Sequence, residues 1–292
     1  MSIVVTGATG HLGRLVVESL LAQGVAAADI TAAGRRTDTI ADLADRGVRV
    51  SPIDYADPAS LRAAFAGAGK VLLVSGSEMG QRVAQHRNVI AAARTADVGF
   101  LAYTSILRAD TSTLRLAEEH AATEVAIRAS GLPYAFLRNS WYLENYTEQL
   151  ATTMDNGALL GAGGAGRVSA ATRADYAAAA AVVLAGEGHD GAVYELGGDG
   201  AFTLAELADE IARQSGKDIV YRDLPVDDYA QALIGFGVPG PFAELLADSD
   251  RGVANGDLFA DTRDLSRLIG RPTTSLAEAI SAGLTRIQSL TP

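Results

Sequence analysis

Between a short apolar run, Ile3-Val4-Val5, and an amphipathic stretch beginning at Leu12 stands the segment Thr6-Gly-Ala-Thr-Gly-His-Leu-Gly13. Its glycines, Gly7, Gly10 and Gly13, have the spacing G-x-x-G-x-x-G. A run that is apolar at every position reads as a strand buried on both faces. A glycine turn leading from such a strand straight into a helix is the opening of a parallel α/β sheet that holds a pyrophosphate. One glycine serves the tight turn, one the close approach of the phosphates and one the packing of helix on strand. The helix start adds free N–H groups and a partial positive charge. A bare tight turn is the alternative, but strand, loop and helix follow in the required order. The reading makes Gly7, Ala8, Thr9, Gly10, His11, Leu12 and Gly13 a dinucleotide cradle, with His11 contributing backbone rather than imidazole.

The rest of the N-terminal half keeps that rhythm. Further strands are predicted at Asp29–Ala33, Val48–Pro52, Val71–Val74, Phe100–Thr104 and Tyr134–Leu137, with helical patterns near Thr39–Asp45, Ala59–Phe65, Gln81–Thr95 and Arg115–Ala129. Strands alternating with crossover helices imply a doubly wound, Rossmann-type parallel sheet. Gly157 to Gly166 reads as a loop or irregular crossing, after which the helix Ala174–Ala185 and strand Val193–Leu196 can return to the sheet. Thr203-Leu-Ala-Glu206 and Ser275-Leu-Ala-Glu278 fit the capping box. The expected division is a dinucleotide-binding domain over 1–199, with a substrate-loop excursion near 139–170. A smaller, mostly helical C-terminal domain over 200–292 closes over the strand ends.

The net charge of −11 is spread along the 292 residues, and the longest basic cluster is the pair Arg35-Arg36. Nucleic acid is therefore not an expected partner. Cys is absent, which removes disulfides, thiolate metal sites and a cysteine nucleophile. No two histidines have metal-ligand spacing, so no metal is expected. The start has no secretory pattern, and the longest apolar run, Ala177 to Ala185, is far short of the ~20 residues of a span. A soluble, cytoplasmic protein without membrane insertion is expected, with a homo-oligomer left open.

The end of the second strand bears on the choice of dinucleotide. An NAD site puts Asp or Glu there, whereas this chain reads Ala33-Gly34-Arg35-Arg36. Arg35 can bind a 2′-phosphate through its planar fork, while Arg36 reads as a solvated charge. Asp54, after the third strand, can accept from an adenine amino group or act as a turn acid. Ser75-Gly76-Ser77, after the fourth, can reach the nicotinamide half. After the sixth strand come Asn139, Trp141, Tyr142 and Asn145. Their rings can stack on a planar apolar substrate while an asparagine bonds an oxygen or the carboxamide. Packing between domains is the competing role for Trp141, and His86 reads as a packed helical histidine.

Several segments add to this: Gln85-His-Arg-Asn-Val-Ile90, Ala102-Tyr-Thr-Ser105, Leu137-Arg-Asn-Ser-Trp-Tyr142 with Glu144-Asn145, Ala171-Thr-Arg-Ala-Asp-Tyr176, Ala247-Asp-Ser-Asp250 and Leu268-Ile-Gly270. With the glycine loop and Arg35, the chain resembles the NmrA-like branch of the atypical short-chain dehydrogenases, and within it the type 2 NAD(P)H:quinone oxidoreductases. The resemblance implies NADPH as cofactor (bound as NADP after turnover) and two-electron reduction of a quinone without flavin or metal. One departure from the wider dehydrogenase group is informative. Its Tyr-x-x-x-Lys proton donor maps onto Leu116 and His120, although Ser105 is kept. A quinone tolerates that loss, because hydride addition yields a hydroquinone anion that takes its proton from water. The alternative is a redox-sensing regulator that binds NADP without turnover.

Overall fold

The architecture is taken from a computed structural model that describes residues 2–290. Its strands are β1 (Ile3–Val5), β2 (Ile30–Gly34), β3 (Arg49–Pro52), β4 (Lys70–Leu73), β5 (Phe100–Ile106), β6 (Tyr134–Asn139), β7 (Ala158–Gly161), β8 (Ala192–Leu196) and β9 (Val220–Asp223). The helices between the strands of the first half are α1 (His11–Ala22), α2 (Ala41–Asp45), α3 (Pro58–Phe65), α4 (Arg82–Thr95) and α5 (Arg115–Ser130). Then come α6 (Glu144–Thr147), α7 (Leu150–Asn156), α8 (Arg173–Ala185), α9 (Leu204–Ser215), α10 (Val226–Gly235), α11 (Gly240–Ala254), α12 (Asp264–Ile269) and α13 (Leu276–Leu290).

Seven strands form one sheet in the order β3-β2-β1-β4-β5-β6-β8. Every neighbouring pair runs parallel. Burial explains the uniform strands: β1, β2, β4 and β5 are buried at every position, because helices cover both faces. One face packs Val16, Val17, Leu20, Ala180 and Leu184 of α1 and α8, joined by Leu265 of α12. The other packs Leu61 and Phe65 of α3, Val89 and Ala93 of α4 and Ile127 of α5. The strand order reverses between β1 and β4, and ligands of such sheets bind at the carboxyl ends on either side of that point. The glycine loop leaves β1 there.

A third core gathers Leu143, Leu150 and Val168 with Phe202, Leu207, Leu258 and Ile280, so the excursion after β6 and the C-terminal helices share apolar contacts. The Gly157–Gly166 stretch departs from its expectation: Ala158–Gly161 is a strand, paired parallel with β9 from Ala158↔Val220 to Gly161↔Asp223. Three of its glycines, Gly161, Gly163 and Gly166, mark close approach. A Cβ on Gly166 would lie 2.1 Å from the Val253 carbonyl oxygen, and one on Gly161 would lie 2.8 Å from Asp250 Oδ2. Both proposed capping boxes form, at Thr203/Glu206 and Ser275/Glu278. No helix among the described residues is long and apolar enough to cross a membrane.

Candidate functional site

The loop from Thr6 to Gly13 owes its shape to three contacts that only glycine permits. Gly7 sits at φ +63°, the left-handed region, where its missing Cβ leaves room for Val74. A Cβ on Gly13 would stand 2.4 Å from the Gly7 carbonyl oxygen, and one on Gly34 would stand 2.6 Å from Thr9 Cγ2. Gly10 starts α1 with no side-chain cap, so the first N–H groups of the helix, among them those of His11 and Leu12, are left for an anion. Thr6 ties the loop's root to the next strand, donating to the Leu72 carbonyl at 2.8 Å and accepting from Val74 N at 3.1 Å. Ala8 is fully buried and donates its N–H to the Ala33 carbonyl at 2.9 Å.

The segment after β4 is pinned from below by buried polar groups. Ser75 N donates to Thr104 Oγ1 at 2.8 Å and Gly76 N to His86 Nε2 at 2.9 Å, while Arg82 Nε donates to the Gly76 carbonyl at 2.7 Å. Arg82 is itself held by Glu119 at 2.7 Å, and the other Glu119 oxygen accepts from Gly80 N at 3.0 Å. Accepting at Nε2 makes His86 the neutral Nδ1–H tautomer, bonded to Thr123 Oγ1 at 3.0 Å. Burial, and then the charge of Arg82, push its pKa down to about 3. His86 thus holds the loop and takes no part as an acid. Above these pins Ser77, Glu78 and Met79 are exposed, and Glu78 Oε1 accepts from Arg35 Nη1 at 2.6 Å. Arg36 is exposed, its carbonyl accepting from Thr39 Oγ1. Asp54 closes its own turn, Oδ1 accepting from Ala56 N at 2.8 Å.

Where ordinary short-chain dehydrogenases carry their acid, this chain has two structural networks. Ser105 is buried and donates to Glu124 Oε1 at 2.6 Å, and Glu124 receives a bidentate pair from Arg138 at 2.9 and 2.7 Å. Burial alone would depress the guanidinium pKa, but Glu124, Glu195 and Asp110 raise it. Tyr103 and His120 share a hydrogen bond of 2.7 Å. Burial first and Arg82 second keep His120 well below its ordinary pKa, so His120 is not a cation beside Tyr103, whose own pKa burial raises against the opposing charge of Arg82.

At the exit of β6, Asn139 is 4% exposed and its Oδ1 is a buried acceptor with no hydrogen-bond partner. The aromatic residues that follow point different ways. Trp141 packs against the third core. Tyr142 meets Tyr176 edge-on at 5.5 Å, with the Arg173 guanidinium over its ring at 5.2 Å. Asn145 Oδ1 accepts from Arg173 Nη2 at 3.4 Å, so Tyr142, Asn145 and Arg173 form one group. Burial raises the Tyr142 hydroxyl pKa, opposed by the Asn139 amide. Asp175 is fully buried and tethers the segment, pairing with Arg271 at 2.7 Å and accepting from Thr274 N at 2.9 Å. Spacing in the sequence does not single out Glu78, Arg82 or Glu119, whose partners lie 43 and 37 residues away.

A glycine loop at the switch point of a doubly wound sheet, with an orphaned acceptor at the carboxyl end of β6 two strands beyond β4, defines a dinucleotide-binding protein of the Rossmann class. The chain belongs to the NmrA-like family, whose sequence profile matches residues 1–276. It is 51% identical over 279 residues to quinone oxidoreductase 2 of Escherichia coli K12, spanning 96% of this chain and 97% of that protein. The crystal structure of an E. coli NADPH-dependent quinone oxidoreductase complexed with NADPH matches with a TM-score of 0.94 at 51% identity, over 96% of this chain and 99% of that one. The NADP(H) complex of Citrobacter sp. triphenylmethane reductase matches with a TM-score of 0.92 at 40% identity, over 97% and 100% of the two chains.

Proposed function

We propose that this protein is an NADPH-dependent quinone reductase that passes two electrons as a hydride directly to the quinone, with neither flavin nor metal. One observation carries the reading. The unpartnered, buried Asn139 Oδ1 lies at the end of β6, on the same edge of the sheet as the uncapped start of α1 behind the glycine loop. The residues fit the dinucleotide. The loop from Gly7 to Gly13 would hold the pyrophosphate, through N–H groups such as those of His11 and Leu12 rather than that of Ala8, which is bonded to Ala33. Arg35 would hold the 2′-phosphate, Ser75, Gly76 and Ser77 would reach the nicotinamide half, and Asn139 would accept from the carboxamide. Bound there, NADPH supplies the hydride. Tyr142 and Asn145, grouped with Arg173, would flank the quinone, and Trp141 would be its wall on the side of the third core. Ser105 and Tyr103 are engaged with Glu124 and His120, so the product oxygen takes its proton from water.

The similarity at 51% identity to a quinone oxidoreductase over nearly the whole chain supports turnover and does not favour the regulator. We read the protein as cytoplasmic, with a small-molecule quinone as partner and no nucleic acid. Gel filtration checks whether it forms a homo-oligomer. Mixing protein, NADPH and a small benzoquinone tests the function. Loss of NADPH absorbance that scales with protein supports it, while cofactor binding without loss contradicts it.

A further inference from the structure

The sheet order puts β2 and β4 on either side of β1. A residue just beyond β2 and one in the loop beyond β4 therefore face each other across the glycine loop. Arg35 and Glu78 are that pair, joined at 2.6 Å over the mouth of the loop. Glu78 is not a stray surface acid. Gly76 is held by His86 and Arg82, and Gly80 by Glu119, so the crest between them is presented by a loop anchored at both ends. The second Glu78 oxygen is taken by Gln85 Nε2 at 2.8 Å, which turns Oε1 toward Arg35.

We propose that Glu78 is a cofactor-discriminating residue: its carboxylate competes with the 2′-phosphate of NADPH for the Arg35 guanidinium, and so sets how far the site prefers NADPH over NADH. The proposal rests on the reading of Arg35 as the 2′-phosphate ligand. An arginine fork satisfies a phosphate best by two parallel bonds, and Glu78 holds Nη1, so a phosphate either takes the remaining Nε–Nη2 side with the carboxylate still in place or displaces Glu78 from Nη1. The carboxylate then stays beside a second anion, which raises the free energy of the NADPH complex. NADH has no phosphate at that carbon, leaves the ion pair shut and carries no such handicap. Arg35 and Glu78 are 61% and 44% exposed at their side chains, so the effect is modest and salt-screened.

Titration of NADPH and NADH into the wild type, Glu78→Gln, Arg35→Ala and the double variant tests this. Gln keeps the shape and the bond to Gln85 while removing the charge. Glu78→Gln is expected to tighten NADPH about two- to fivefold, the ratio that ~0.4–1 kcal/mol of an exposed ion pair allows. NADH affinity stays as in the wild type, and the gain vanishes in the Arg35→Ala background and shrinks at high salt. NADPH affinity that is unchanged in Glu78→Gln, or a gain shared equally by NADH, overturns the proposal and leaves the Arg35 reading standing. Arg35→Ala protein that binds NADPH as tightly as the wild type overturns that reading, and the proposal with it.

Discussion

At the residue scale the buried titratable groups divide by sign. His86 is neutral in the fold, with its pKa down from 6.5 to about 3. Between those values the unfolded chain binds a proton the native state refuses, so this group's stability is complete above pH 6.5 and is lost as pH falls toward 3. Asp250 behaves in the opposite way. Burial and the nearby charge of Asp223 raise it from 3.8 to about 7, opposed by the Ala162 N–H, so its contribution falls as pH rises through that range. The two trends oppose each other in the wild type, and variants separate them. Relative to wild type, Asp250→Asn is expected to gain stability with rising pH, by up to about 1.4 kcal/mol per pH unit. His86→Gln is expected to lose its deficit as pH falls. Urea unfolding across the range measures both, and parallel curves for all three proteins contradict the assignments. Trp141→Ala belongs to this scale too. It is expected to raise KM for quinone while NADPH affinity holds, at ~0.5–1.5 kcal/mol beyond lost burial. Loss of cofactor binding together with thermal stability marks Trp141 as a packing residue instead.

At the scale of elements, most of the sheet was legible because strands covered on both faces are uniformly apolar, as Val71–Leu73 and Phe100–Ala102 are. The boundaries of β5 and β6 were read short, at Thr104 and Leu137. Their last pairs, Ser105↔Arg138 and Ile106↔Asn139, include polar residues that look like loop until Glu124 is known to lie over them. β7 and β9 were missed: one is bounded by glycines, and the other, Val-Tyr-Arg-Asp, shows no apolar face. The glycine loop was legible because its spacing is local, whereas the pins of the β4 loop come from α4 and α5 and leave no local pattern. Glu124 binds β5, α5 and β6 together, and it is 1% exposed. Glu124→Ala leaves Arg138 buried with one fewer counter-charge, so a loss of about 3 kcal/mol is expected in chemical denaturation. A change under ~1 kcal/mol would show that Asp110 and Glu195 suffice for Arg138.

At the scale of the whole molecule, the chain keeps the dinucleotide-binding apparatus and has redirected the usual proton-donating positions into structure. Simple ketones need a proton on the nascent alkoxide, so they are expected to react far more slowly than quinones. Robust ketone turnover abolished by substitution of Tyr103 or Tyr142 would show that a side chain supplies the proton. Turnover in this protein rests on direct hydride transfer from nicotinamide to quinone. The most direct measurement compares the steady-state rate of benzoquinone reduction with NADPH and with NADPH deuterated at the transferring position, using purified protein without added flavin or metal. The account predicts saturable turnover, slower with the deuterated cofactor once chemistry limits the rate. Tight NADPH binding with no protein-dependent oxidation would contradict it.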